Sequence, residues 1–111
     1  MLDFDEYQKR ALTTASTTND EFKDIMHWIL GVTGEAGEIA EKTKKIIRDK
    51  KGVISDADKA ELSKEIGDVL WYLAVLAHHL DLSFEDIAKD NLEKLQSRKH
   101  RGMIGGSGDN R

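Results

Sequence analysis

The sequence predicts an all-α protein, a four-helix subunit that completes its bundle by pairing with further copies of itself. Three observations carry this reading. Not one proline occurs in 111 residues, and the strong helix formers Ala, Leu, Glu and Lys dominate. A capping residue followed three positions later by an acid recurs four times along the chain. In the third segment the apolar residues follow helical spacing.

Each element has its own start signal. Asp3 with Glu6 opens a first helix expected to run to about Ala15. Thr18 with Glu21 opens a long second one reaching about Lys50, which Lys51-Gly52 ends because glycine suits the left-handed residue past a helix C-terminus. Ser55 with Asp58 caps a third helix extending to about Leu80, and Ser83 with Asp86 a fourth from Phe84 to about Lys99. Residues 1–101 thus read as one helical domain and 102–111 as a glycine-containing tail. Gly31, Gly34 and Gly37 interrupt the second segment, each at a cost of about 1 kcal/mol against alanine. They are expected either to break it near Gly31 or to let another backbone approach.

On the third helix, Leu62, Ile66, Val69, Leu70, Leu73, Leu76, Ala77 and Leu80 form one apolar stripe. Glu61, Glu65, Asp68 and Tyr72 border it, while Trp71, Val75 and His78 point roughly the opposite way. A helix with apolar matter on two sides is buried on two sides. In so short a chain the second side is expected to meet another subunit, giving a homodimer or homotetramer.

Composition excludes several classes. Without cysteine there are no disulfides, thiolate metal sites or cysteine nucleophiles, which fits a reducing cytoplasm. No apolar run approaches the roughly 20 residues of a membrane span, and no signal peptide is visible, so a cytoplasmic protein is expected. A net charge of −4 argues against a broad grip on nucleic acid. The basic residues Lys89, Lys94, Arg98, Lys99 and Arg101 nevertheless cluster on the fourth helix and could hold a small anion. No phosphate-binding glycine loop of the Gly-x-x-x-x-Gly-Lys-Ser/Thr kind is present, and no serine triad can be assembled. His78-His79 is expected to pack or lie at the surface, and Trp28 and Phe22 to serve core packing or a dimer contact before any nucleobase.

The chemistry rests on acids. Glu35 and Glu38 stand three apart on one helix face, and Glu65 and Asp68 repeat the spacing on the third helix. Two antiparallel helices would bring the pairs face to face, where they repel unless cations sit between them. Hard oxygen donors of this kind favour Mg2+, with Mn2+ the alternative. Such a site suits metal-assisted attack of water at phosphorus. Glu38 with Lys42 and Glu41 with Lys45 could equally form ordinary ion pairs on a solvated face. The acids border Val32, Ile39, Ile46 and the apolar stripe, however, and half-buried carboxylates need partners.

Gly34-Glu35-Ala36-Gly37-Glu38-Ile39-Ala40-Glu41-Lys42, followed by Glu65-Ile66-Gly67-Asp68-Val69-Leu70-Trp71-Tyr72-Leu73, resembles the MazG-like branch of the all-α nucleoside triphosphate pyrophosphatases. Asn91, Lys94 and Arg98 stand as in that family's Asn-x-x-Lys-x-x-x-Arg pattern, so the resemblance runs from about Tyr7 to the end. It implies a MazG-like helical catalytic domain over residues 1–101 that hydrolyses a ribo- or deoxynucleoside triphosphate to the monophosphate and pyrophosphate, clearing nucleotide pools. It also implies that Glu35, Glu38, Glu65 and Asp68 bind Mg2+, with Glu38 the candidate general base. Lys94 and Arg98 would hold phosphate oxygens, with Asn91 a polar contact beside them; Tyr72 could reach the phosphates or sugar, or simply pack at the core edge. The ending Gly-Ser-Gly-Asp-Asn-Arg is similar to endings in one subgroup of MazG-like proteins, and the tail is expected to fold over the substrate or a neighbouring subunit. Two alternatives stay open: a non-enzymatic helical interaction or regulatory dimer, and an enzyme similar to phosphoribosyl-ATP pyrophosphohydrolase.

Overall fold

The computed structural model describes all of residues 1–111 and contains four helices and no strand: α1 (Phe4–Leu12), α2 (Glu21–Lys50), α3 (Asp56–His79) and α4 (Phe84–His100). Three of the four start signals hold. Asp3, Ser55 and Ser83 accept from the backbone amides of Glu6, Asp58 and Asp86. The second is two residues out. Asp20, not Thr18, caps α2, accepting from the Lys23 amide, because Thr18 is engaged elsewhere. Its amide and hydroxyl donate to the buried Asp24 carboxylate at 3.0 and 2.8 Å. The first helix also stops short of Ala15. The hydroxyls of Thr13 and Thr14 donate to the carbonyls of Arg10 and Ala11, and the backbone closes in three-residue turns there.

The glycines do not break α2, which runs 30 residues. It ends with Lys51 left-handed at φ 53° and Gly52 at φ 76°, whose amide donates back to the Ile46 carbonyl. At the start of α3 the capping box is reciprocal: Asp58 N–H donates to Ser55 Oγ, and Ser55 N–H to Asp58 Oδ2. Lys50 adds a 2.6 Å bond to Asp58 Oδ1, pinning the end of α2 to the start of α3. The Lys50 ammonium first, then the Ser55 donors, push the Asp58 carboxyl down to about 2. A depressed carboxyl contributes stability above its ordinary value and loses it as pH falls. The difference in melting temperature between the parent and Asp58→Asn should therefore be full above pH 4 and close as pH approaches 2. A pH series of thermal melts checks this.

α2 and α3 form a long antiparallel hairpin. Its closed end holds Lys50 against Asp58, its middle Lys42 against Glu61 and Glu65, and its open end Trp28 against Trp71, Tyr72 and His79. Only at the open end do α1 and α4 add a layer, and there the core forms from Ala11, Trp28, Ala74, Val75, Ala77 and Phe84. Gln8 ties that layer together. Its amide nitrogen donates to the carbonyls of Ala74 and Leu82, both at 3.1 Å, and its oxygen accepts from the Phe84 amide.

This placement reverses part of the expected burial on α3. Val75 and Trp71, expected to face a second subunit, pack into the chain's own core, while Ile66, Leu73 and Leu80 of the apolar stripe are exposed. The reason is geometric: α1 and α4 cover α3 from the Ala74–Ala77 side and α2 from the Glu65–Tyr72 side, leaving the edge with Ile66, Leu73 and Leu80 open. His78 is exposed and His79 stacks on Trp28 at 5.6 Å. Trp28 is core, and Phe22 lies open to solvent.

Candidate metal and phosphate site

At the middle of the hairpin, where the core layer ends, the two acidic motifs meet. Single carboxylate oxygens of Glu35, Glu65 and Asp68 all lie within 4.8 Å of one another. Glu35 projects from α2 toward α3, and its carboxyl is raised above the usual range. The largest cause is a hydrogen bond with Glu65, followed by desolvation and the nearby charges of Asp68, Glu65 and Glu38. Like charges this close repel, and a cation between them would relieve that repulsion. Every donor in the group is a carboxylate oxygen, the chemistry that Mg2+ and Mn2+ select.

Glu38, the fourth acid of the motif, stands one turn further along α2 with an exposed side chain and lies outside this close group. Lys42 flanks the cluster from the same helix, its ammonium 3.6 Å from Glu65 and 3.8 Å from Glu61. The sequence pattern paired Lys42 with Glu38 along one helix. Only the hairpin register turns it toward α3 instead. Glu41 does pair within its helix, with Lys44 and Lys45.

Tyr72, one turn past Asp68, lays its ring against Gly31 and packs beside Trp28 and Trp71. A β-carbon at residue 31 would land on that ring, which explains one of the three glycines; Gly34 and Gly37 face open space. Gly31→Ala should therefore displace Tyr72. Its overpacking cost of about 1–3 kcal/mol is offset by only about 1 kcal/mol of helix propensity. Gly34→Ala, meeting nothing, should be stabilising by about 1 kcal/mol. Urea midpoints of the two variants should move in opposite directions. Tyr7 on α1 also belongs to this neighbourhood, since its phenol is pushed up by burial and by the Asp68 charge. No sequence motif pointed to it.

The basic residues occupy another part of the molecule. Asn91 and Lys94 line one shallow groove on α4 with Ile87 and Asp90. Arg98 does not open onto it: the residue is 4% exposed, buried under the tail. Within one chain α4 packs on α1 and α3 and makes no contact with α2, so the hairpin acids and the α4 cations are not all brought together. The tail folds back on its own α4, with Asp109 against Lys94 and Arg98.

Comparison with known proteins agrees with this architecture. The chain is 52% identical over 92 residues to the Gene 37 protein of Mycobacterium phage L5, a match covering 83% of this chain and 81% of that protein. No solved structure matches it. The family model described as the MazG nucleotide pyrophosphohydrolase domain matches residues 22–103, a span that holds the acidic hairpin and the basic helix together. With its four helices, its facing carboxylate motifs and that match, the chain belongs to the MazG nucleotide pyrophosphohydrolase family.

Proposed function

We propose that the protein hydrolyses a ribo- or deoxynucleoside triphosphate to the monophosphate and pyrophosphate, with Mg2+ held by Glu35, Glu65 and Asp68. The observation that carries this reading is the convergence of those three carboxylates from two helices inside the span of the family match. The crowding of carboxylates that raises the Glu35 carboxyl marks the place where a cation would sit. When bound, Mg2+ supplies charge neutralisation of the triphosphate and polarisation at phosphorus.

The chain's own residues do the rest. Glu38, exposed and outside the close group, keeps a free carboxylate beside the cluster and takes the proton of the attacking water. Lys94 and Arg98 hold phosphate oxygens, with Asn91 as a polar contact. Tyr72 walls the end of the site nearest the core, where it can meet the sugar or phosphates.

The working unit is a homodimer or homotetramer. A radius of gyration of 17.0 Å exceeds the roughly 13 Å of a compact chain of this size. Only 10 of 111 residues are buried, while Phe22, Leu30, Ile66 and Leu73 stand exposed on the hairpin. A second copy would cover this apolar surface and could bring its α4 cations to the acids. Clearance of nucleotide pools is the cellular role this reaction fits. No helix is long and apolar enough to cross a membrane.

The test is a product analysis with Mg2+ and a panel of ribo- and deoxynucleoside triphosphates. Monophosphate plus pyrophosphate is expected. Diphosphate plus phosphate would overturn the bond assignment. No turnover, with no stabilisation by Mg2+, would leave a helical interaction module.

A further inference from the structure

The tail is not a loose end. Arg111 gathers it into a closed loop, its guanidinium donating to the carbonyls of Met103, Ile104, Gly105 and Gly108. Arg101 holds the Arg111 carbonyl at 2.9 Å. Gly102, Gly106 and Gly108 take φ of 69°, 91° and 88°, left-handed values that let the chain turn so tightly. Arg98, buried beneath, donates through Nη2 to the Asp109 carbonyl at 2.7 Å and to the Gly108 carbonyl at 3.4 Å. This anchoring sets one side chain in place. The Asp109 carboxylate lies 3.2 Å from Lys94 Nζ and 3.4 Å from Arg98 Nη2.

Lys94 and Arg98 are the two cations assigned above to phosphate oxygens. A carboxylate bridging an ammonium and a guanidinium presents the same oxygen-anion chemistry as a phosphate. Both cannot occupy Lys94 Nζ in the same geometry. We propose that Asp109 is an internal competitor of the substrate's phosphate group, seated on Lys94 and Arg98 until a phosphate displaces it. Arg111 and Arg101 close the tail without using the Asp109 carboxylate, so the loop can remain in place while the Asp109 side chain swings out. Asp109 is 83% exposed on its side chain, and nothing packs against it to resist that motion. The inference rests on the phosphate-binding reading of Lys94 and Arg98.

The experiment measures binding of magnesium pyrophosphate by calorimetry at low salt, to the full-length parent, Asp109→Asn, Lys94→Met and the double variant. The Lys94–Asp109 pair is exposed and so weak and screened, and Asp109→Asn should bind about two- to fivefold tighter, with the gain shrinking as salt rises. Lys94→Met should bind more weakly, and Asp109→Asn should add nothing in its background. Unchanged or weaker binding by Asp109→Asn, with Lys94→Met still impaired, would overturn the competitor and leave the phosphate reading standing. Full affinity in Lys94→Met would overturn both.

Discussion

Glu38→Gln should lower kcat by about 10²- to 10⁴-fold, the range for loss of a positioned general base, while Mg2+ still stabilises the variant against heat. Glu65→Gln should lose both properties. The contrast follows from placement: Glu65 is one of three acids whose oxygens lie within 4.8 Å, whereas Glu38 stands outside them. At a hundredfold excess of metal over its Kd, binding should stabilise the parent by about 2.7 kcal/mol, roughly 10 °C or more in Tm. Thermal melts with Mg2+ and with EDTA, run beside the turnover assay, separate the two roles. Loss of metal stabilisation in Glu38→Gln would make Glu38 a ligand and not the base. Relief of the crowding at Glu35 has its own signature. Glu35→Gln should melt higher than the parent in EDTA and gain nothing from Mg2+, because the neutral amide removes one of the repelling charges.

Trp28→Ala should be the most destabilising single change in the chain, at about 3–5 kcal/mol. Trp28 is 2% exposed and touches four other rings: His27 and His79 stack on it at 4.8 and 5.6 Å, and Trp71 and Tyr72 flank it at 5.8 and 6.2 Å. Few other side chains share the load, since the buried core beside it is mostly alanine, with Val75 and Phe84. A loss of this size is a large part of the roughly 5–15 kcal/mol that holds a small protein folded. Tyr72 leans on both Trp28 and Gly31, so the same truncation should loosen the end of the carboxylate cluster nearest the core. Urea denaturation followed by circular dichroism, in EDTA, measures the effect free of metal linkage. A cost below about 1 kcal/mol would mean that the core lies elsewhere.

The sequence by itself determined the helices, because caps and helix propensity are local physics. Asp3, Ser55 and Ser83 bond the amides that their spacing foretold, and the left-handed exit at Lys51-Gly52 needs only those two residues. It likewise placed Glu35 opposite Glu65 and Asp68, since a three-residue spacing on two antiparallel helices leaves little freedom. Where a side chain reaches beyond its own helix, local reasoning fails. Thr18 looked like a cap until Asp24 claimed its hydroxyl, and Lys42 turned from Glu38 to Glu65 across the hairpin. The apolar stripe of α3 told that the helix has a greasy side, but only α1 and α4 decided which side they cover, leaving Ile66 and Leu73 in solvent. The tertiary structure alone showed that Gly31 is small because the Tyr72 ring lies on it. It alone set Asp109 on Lys94 and Arg98, a contact across 11 to 15 residues that depends on how glycines and Arg111 fold the tail.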